Sequence, residues 1–163
     1  MSKIAFCFLI YDRLPFLELW KEFFSQVDEN HYNIYIHYKN RPNNLDNELK
    51  NLHILDTTIE TNWGDISLVV AQNLLLINAM KDPENTNFIF LSNSCIPVKN
   101  FNQIKHILGQ NSSKSFFTLC PDGQCYPKCD KIVDSIIDIN LEDLGVGQHS
   151  LPKLNRKDIK KSY

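Results

Sequence analysis

Residues Phe88 to Asn100 read FIFLSNSCIPVKN, and the fold class follows from how this stretch is taken. FIFL is a short apolar run of the kind that forms a fully buried strand in a parallel sheet. The run stops abruptly in Ser92, Asn93 and Ser94, followed by Cys95, Ile96 and Pro97. In open α/β sheets, ligands lie in the crevice beyond the carboxyl ends of the strands, so this polar end is where a ligand is expected.

Working outward, Asp65 to Met80 carries Ile66, Val69, Val70, Leu74, Ile77 and Met80 at helical spacing, and Leu68, Leu75 and Leu76 widen the stripe. Such a pattern predicts a helix buried on more than one side. The hinge Asn62-Trp63-Gly64 precedes it and Pro83 ends it. Lys3 to Ile10 (KIAFCFLI) reads as a central strand. Pro15 and the recurrence of Phe16, Leu19, Trp20, Phe23 and Phe24 predict a helix with one buried face. Tyr32 to Tyr38 (YNIYIHY) alternates as a second strand, broken by Lys39 to Asn44 with Pro42, and Leu52 to Leu55 is a third, shorter one. A strand, helix, strand unit of this length implies a parallel pair. Beyond the opening stretch, Asn100 is placed to cap a helix from Phe101 to Leu108 with Ile104, Ile107 and Leu108 facing inward, and Ser115 to Leu119 offers another short strand. The order β-α-β-(β)-α-β-α-β predicts a three-layer α/β domain with a mainly parallel central sheet over residues 1–119. Residues 120–163, which include CPDGQCYPKCD and the basic LPKLNRKDIKKSY, carry weak patterning.

Length and charge narrow the function classes. A chain of 163 residues is a single domain by size, and a net charge of -2 argues against a nucleic-acid or anionic-membrane partner. Met1 to Ile10 has one Lys ahead of a short apolar run, with neither a cleavage site nor the length to span a bilayer, so a cytoplasmic, unanchored protein is expected. Five cysteines is an odd number, and Cys7 and Cys95 lie in or beside predicted strands, which fits a reducing setting.

Taken in order, KIAFCFLIYDRLPFLELWKEFF, YNIYIHY and TNWGDISLVVAQNLLLINAMKDPENTNFIFLSNSCIPVKNF resemble the core-2/I-branching β-1,6-N-acetylglucosaminyltransferase family, glycosyltransferase family 14, in its divergent branch. The Trp63-Gly64 pair, the long apolar helix and Leu91-Ser92-Asn93-Ser94-Cys95-Ile96-Pro97 carry the likeness. The resemblance implies a GT-A-like fold, a UDP-sugar donor, and inverting transfer of an N-acetylglucosamine-like sugar to a hydroxyl of an acceptor glycan, with no bound metal or other cofactor. Metal-dependent GT-A enzymes hold a cation with an Asp-x-Asp motif after a strand; Ser92-Asn93-Ser94-Cys95 offers no carboxylate there, so Lys or Arg is expected to balance the departing diphosphate. The chain departs from the family where many members have an Asp after the second strand and this one has Ile36-His37-Tyr38. The resemblance also implies a catalytic carboxylate in a C-terminal half, which would begin near Asn155 to Tyr163, so no catalytic base is assigned. The alternative is a truncated, non-catalytic nucleotide-sugar or glycan-binding module, completed by a separate C-terminal half or an oligomer partner.

Candidate substrate-binding residues follow from these positions. Tyr11 and Arg13 come after the first strand, where Arg13 is either a phosphate partner or a solvated side chain. His37 and Tyr38 end the second strand, as a stacking surface for uracil or as structural groups. Trp63 is a sugar-facing wall or a hydrophobic staple at the helix entry. Asn93 and Ser94 offer neutral hydrogen-bond groups. Cys95 reads as core, and Glu60 and Asp65 are the carboxylates nearest the hinge, Asp65 suiting a first helical turn. Cys120, Cys125 and Cys129 with His149 allow a zinc-stabilised interaction domain as a third reading, against unlinked thiols in a loop.

Overall fold

The computed structural model describes residues 2–42, 45, 47–111 and 114–116. They form a four-stranded, all-parallel sheet in the order β3-β2-β1-β4: β1 (Lys3–Ile10), β2 (Tyr32–Tyr38), β3 (Leu52–Ile54) and β4 (Asn85–Ser92). Three helices complete it, α1 (Leu17–Phe24), α2 (Ser67–Ala79) and α3 (Phe101–Gln110). Helices α1 and α3 cover one face and α2 the other, the three-layer α/β arrangement expected from the strand and helix order.

The two faces are packed differently because β1 alternates large and small side chains. Ile4, Phe6, Phe8 and Ile10 point to the α1/α3 face, whereas Ala5 and Cys7 point to α2. Phe6 meets Trp20, Phe23, Phe24 and Phe101 at ring-centroid distances of 5.1–6.4 Å, and Phe8 meets Trp20 edge-on at 4.9 Å. Edge-to-face pairs of this kind add about 0.5–1.5 kcal/mol each to the burial of the rings. On the other face, Ala5 and Cys7 leave room for Ala71, Leu74, Leu75 and Ala79 of α2. Burial pushes the Cys7 thiol up to about 12, so it acts as a small apolar group.

Helix α2 departs from its expected burial on more than one side. Among its residues only Ala71, Leu74, Leu75 and Ala79 are fully buried, and Met80, just past its end, is 57% exposed. The strand of the opening stretch also differs from expectation. It is parallel, but it is an edge strand: β1 is central, and β4 has no second neighbour among the described residues. Ile89 and Leu91 pack on the aromatic core while Phe90, on the opposite face, is 43% exposed.

Helix α3 begins in a capping box. The Asn100 side chain accepts from the Gln103 N–H at 2.9 Å, and the Gln103 side chain accepts from the Asn100 N–H at 3.1 Å. Ile104 and Leu108 face inward as expected, but Ile107 is 37% exposed. Ser115 and Phe116 are not in a strand, and the remainder of that expected strand, with Cys120, Cys125, Cys129 and His149, lies outside the described residues.

Candidate functional site

The carboxyl ends of the strands open into four loops, of which those after β1, β2 and β3 are tied to one another. The backbone N–H of Lys39, just past β2, donates to Ile10 O and Tyr11 O at 3.2 and 3.1 Å, and Asn40 N–H donates to Tyr11 O at 2.8 Å. These bonds join the exits of β1 and β2. The Lys39 ammonium then reaches the segment after β3, donating to Thr61 O at 2.8 Å and to Asn62 Oδ1 at 3.4 Å, and lies 5.8 Å from the Tyr11 ring centroid. A second tie comes from below, where His37 Nε2 accepts the Ile59 N–H at 3.1 Å. Across β1, the loop after β4 closes on itself: Cys95 N–H donates to Ser92 O at 3.2 Å, and Ser92 Oγ lies 2.9 Å from Ser94 Oγ. Trp20 fixes that loop to α1 by donating its indole N–H to Cys95 O at 3.3 Å.

The entry to α2 is a compact turn. Asp65 N–H donates to Asn62 O at 3.2 Å, Asn62 N–H to Ser67 Oγ at 3.0 Å, and Ser67 N–H to Asp65 Oδ1 at 2.9 Å. Gly64 has φ +70 with open space where a Cβ would sit, so glycine is needed for its backbone conformation, not for close approach. The turn displays Trp63, which is 88% exposed and does not pack as a staple at the helix entry. Asp65 serves the helix start, as its position in the sequence suggests.

The sequence candidates therefore fall into two groups flanking the end of β1. Tyr11 and Tyr38 stand with Lys39 and the Trp63 turn on the β2 side; Tyr11 is 52% exposed, and the Arg41 guanidinium lies 6.0 Å from the Tyr38 ring. Arg13 is well exposed, 4.0 Å from Asp12. Asn93, half-buried, and Ser94, exposed, stand on the β4 side. His37 is placed otherwise than a stacking role needs: its ring is fully buried, burial holds it below the ordinary histidine range, and Nδ1 has no hydrogen-bond partner among the described residues. It supports the edge from beneath. Lys39 is not among the sequence candidates, because in the sequence it only begins the strand-breaking segment Lys39 to Asn44. Its position one residue beyond a parallel strand was the signal available.

Two surface cavities lie away from this edge. One of about 370 Å³ is bounded by Lys21, Phe24, Glu29, Tyr32 and Leu49 near the start of β2; the other, about 570 Å³, by Tyr35, His53, Asn78 and Asp82 beside β3. Neither includes Tyr11, Lys39 or Trp63, which stand on the ledge formed by the loops after the strands. Among the described residues no group of three or more His, Cys, Asp or Glu side chains is placed to hold a metal ion, and no helix is long and apolar enough to cross a membrane.

The family model of the core-2/I-branching enzyme matches residues 4–156, which is most of the chain. The chain belongs to the core-2/I-branching enzyme family. The curated glycosyltransferase BC10 of Oryza sativa subsp. japonica is 31% identical over 140 residues, covering 81% of this chain and 35% of that protein. The chain thus spans about a third of the length of the curated relative it matches. No solved structure matches. Membership of the core-2/I-branching family accords with the GT-A-like α/β architecture and gives the carboxyl ledge its significance, since the ordered motifs that resemble the family end on it.

Proposed function

We propose that this domain is the donor-binding part of a glycosyltransferase, holding a UDP-sugar at the carboxyl ledge for inverting transfer of an N-acetylglucosamine-like sugar to a glycan hydroxyl. The observation that carries the reading is the family match over residues 4–156. In the reaction a base takes the proton of the acceptor hydroxyl, the oxygen forms a bond to the anomeric carbon from the opposite face, and the bond to the diphosphate oxygen breaks. The leaving UDP takes the electron pair, and its charge needs stabilising. Metal-independent operation is part of the proposal. The loop after β4 carries hydroxyls, an amide and a thiol but no carboxylate, the anionic ligand that anchors a hard divalent cation. Exposed aromatic rings, Tyr11 and Trp63, suit the base or sugar of the donor.

Calorimetric titration of the full chain with UDP, in buffer containing a chelator and again with excess Mn²⁺, tests both statements. Binding in chelator at an affinity that Mn²⁺ does not improve is expected; binding that requires the cation would refute metal independence, and no binding in either buffer would refute the donor site. A second reading is that the chain binds a donor without turning it over and is completed by a further polypeptide. It is favoured by the use of Asp65, a carboxylate beside the ledge, in the helix start. Release of free sugar or transfer from UDP-N-acetylglucosamine by the purified chain would exclude it.

A further inference from the structure

The lysines of this domain differ in what neutralises them. Lys3 pairs with Asp82 and Glu84 at 3.3 and 2.8 Å, Lys21 with Glu18 at 3.0 Å and with Glu48, and Lys50 with Glu29. Each is therefore matched by a carboxylate. Lys81 and Lys105 bond neutral groups, Asn78 and the His31 ring, and these two lysines, with Lys99 and Lys114, which have no ion pair among the described residues, are exposed, whereas Lys39 is half-buried. Lys39 has a carbonyl, a side-chain amide oxygen and a tyrosine ring around its ammonium, and no carboxylate ion-pairs with it among the described residues. Such neutral groups orient an ammonium without cancelling its charge. Of its three N–H donors, Thr61 O and Asn62 Oδ1 take two, and the third has no acceptor among the described residues. The side chain is half-buried, so screening by water is reduced, and it stands where the exits of β1, β2 and β3 meet.

We infer that Lys39 is a phosphate-binding residue of the ledge: seated on Thr61 and Asn62 with its charge uncancelled, it meets the diphosphate of the nucleotide donor. This rests on the donor reading, and it names a side chain that supplies positive charge where the β4 loop has no carboxylate to recruit a cation. The seat also makes Lys39 a link between anion and aromatic, since the turn that accepts its hydrogen bonds is the one that displays Trp63.

The test compares UDP, uridine and inorganic pyrophosphate on the full chain, as wild type, Lys39→Met and Lys39→Arg, in chelator at low salt. Lys39→Met is expected to weaken UDP and pyrophosphate about tenfold, the scale of one charge-assisted hydrogen bond, and to leave uridine unchanged. Lys39→Arg keeps the charge and most of the affinity, and its thermal unfolding shows whether the loop survives substitution. Equal affinity of wild type and Lys39→Met for UDP and pyrophosphate overturns the inference while leaving the donor reading intact. An equal loss for uridine and UDP also overturns it, because the variant would then have disordered the ledge. Lys39-dependent binding of pyrophosphate, with UDP no tighter than pyrophosphate, sustains the anion site and overturns the donor reading instead. A wild type that binds none of the three overturns both.

Discussion

The two ends of the parallel sheet are built on opposite principles. At the amino end the buried side-chain polar groups described are answered by other protein groups. Asn33 donates to Asp82 Oδ2 and Asn85 Oδ1 at 2.8 and 2.9 Å, Asn85 donates to the Tyr35 hydroxyl and Ala79 O at 3.0 and 2.7 Å, and Lys3 closes the network on Asp82 and Glu84. The Glu84 N–H, backed by Asn33 and Lys3, holds the Asp82 carboxyl below its usual range. At the carboxyl end, among the described residues, the buried His37 Nδ1 has no partner and no carboxylate pairs with Lys39, and Trp63 and Tyr11 are exposed. One end completes its own hydrogen bonding, as a structural element does. The other presents a charge and exposed aromatic surface, as a site does.

The largest expected effect belongs to the finished end. Asn85 is 7% exposed and joins β2, β4 and the end of α2 in one set of hydrogen bonds. Asn85→Ala leaves an Asn33 N–H, the Tyr35 hydroxyl and the Ala79 carbonyl short of a partner, and is expected to cost about 3 kcal/mol. Urea denaturation followed by circular dichroism measures it. UDP affinity, measured where the variant remains folded, is expected to stay at the wild-type value. A loss below about 1 kcal/mol would mean that water replaces the amide and that this end is not sealed.

How far the contrast was readable from sequence differs between the layers and the ledge. The bounds of β1 and β2 were legible because their apolar runs end in polar loops, and the α3 start because Asn100 and Gln103 stand three residues apart. The place of β4 was not. FIFL looks like a fully buried strand because both its faces carry apolar groups, yet strand order depends on pairing, which puts β4 at an edge beside β1, the central strand that Lys3 to Ile10 predicts. Helix α2 misled in the same way: apolar residues all round say that burial is available, not which residues receive it. At the ledge, Tyr11, Trp63, Asn93 and Ser94 were locatable because strand ends can be read. The burial of His37 and the seat of Lys39 were not, because both depend on Ile59 to Asn62 crossing over β2, a path with no periodicity to betray it.

A middle-sized effect is expected from pH. His37 accepts from the Ile59 N–H and its ring is buried, which lowers its folded pKa below the ordinary histidine value of about 6.5. As pH falls below that value the unfolded chain binds the proton first, so stability declines from there down through the folded pKa. Protonation also sets two N–H groups against each other at Nε2, releasing a bond worth about 1 kcal/mol and with it one tie of the Thr61–Asn62 seat. His53, likewise lowered by burial, acts in the same direction. Urea midpoints between about pH 7 and pH 5 are expected to slope less in His37→Gln, whose carbonyl can accept the Ile59 N–H, than in wild type. A slope that persists in His37→Gln and vanishes in His53→Gln would move the titration to the β3 edge and weaken the contrast between the ends.

The smallest effect on stability, and the sharpest test of the open end, is at Trp63. The chain has two tryptophans, one buried at 2% exposure in α1 and one displayed at 88%. Removing a side chain that is almost wholly in water costs little, so Trp63→Ala is expected to change folding stability by less than about 0.5 kcal/mol. Its fluorescence consequence is large by comparison. The remaining emission comes from Trp20, enclosed by Phe6, Phe8, Phe23 and Phe24, and is expected at shorter wavelength and shielded from iodide. Quenching of wild-type emission by UDP should then be absent in the variant, because the ring near the ligand is gone. A destabilisation approaching that of Asn85→Ala would show that Trp63 is held by the fold, and the carboxyl end would then share the self-sufficiency of the amino end. Unchanged stability together with a lost ligand response separates the two ends as scaffold and site, because the same substitution has then removed a binding signal without removing any part of what keeps the chain folded.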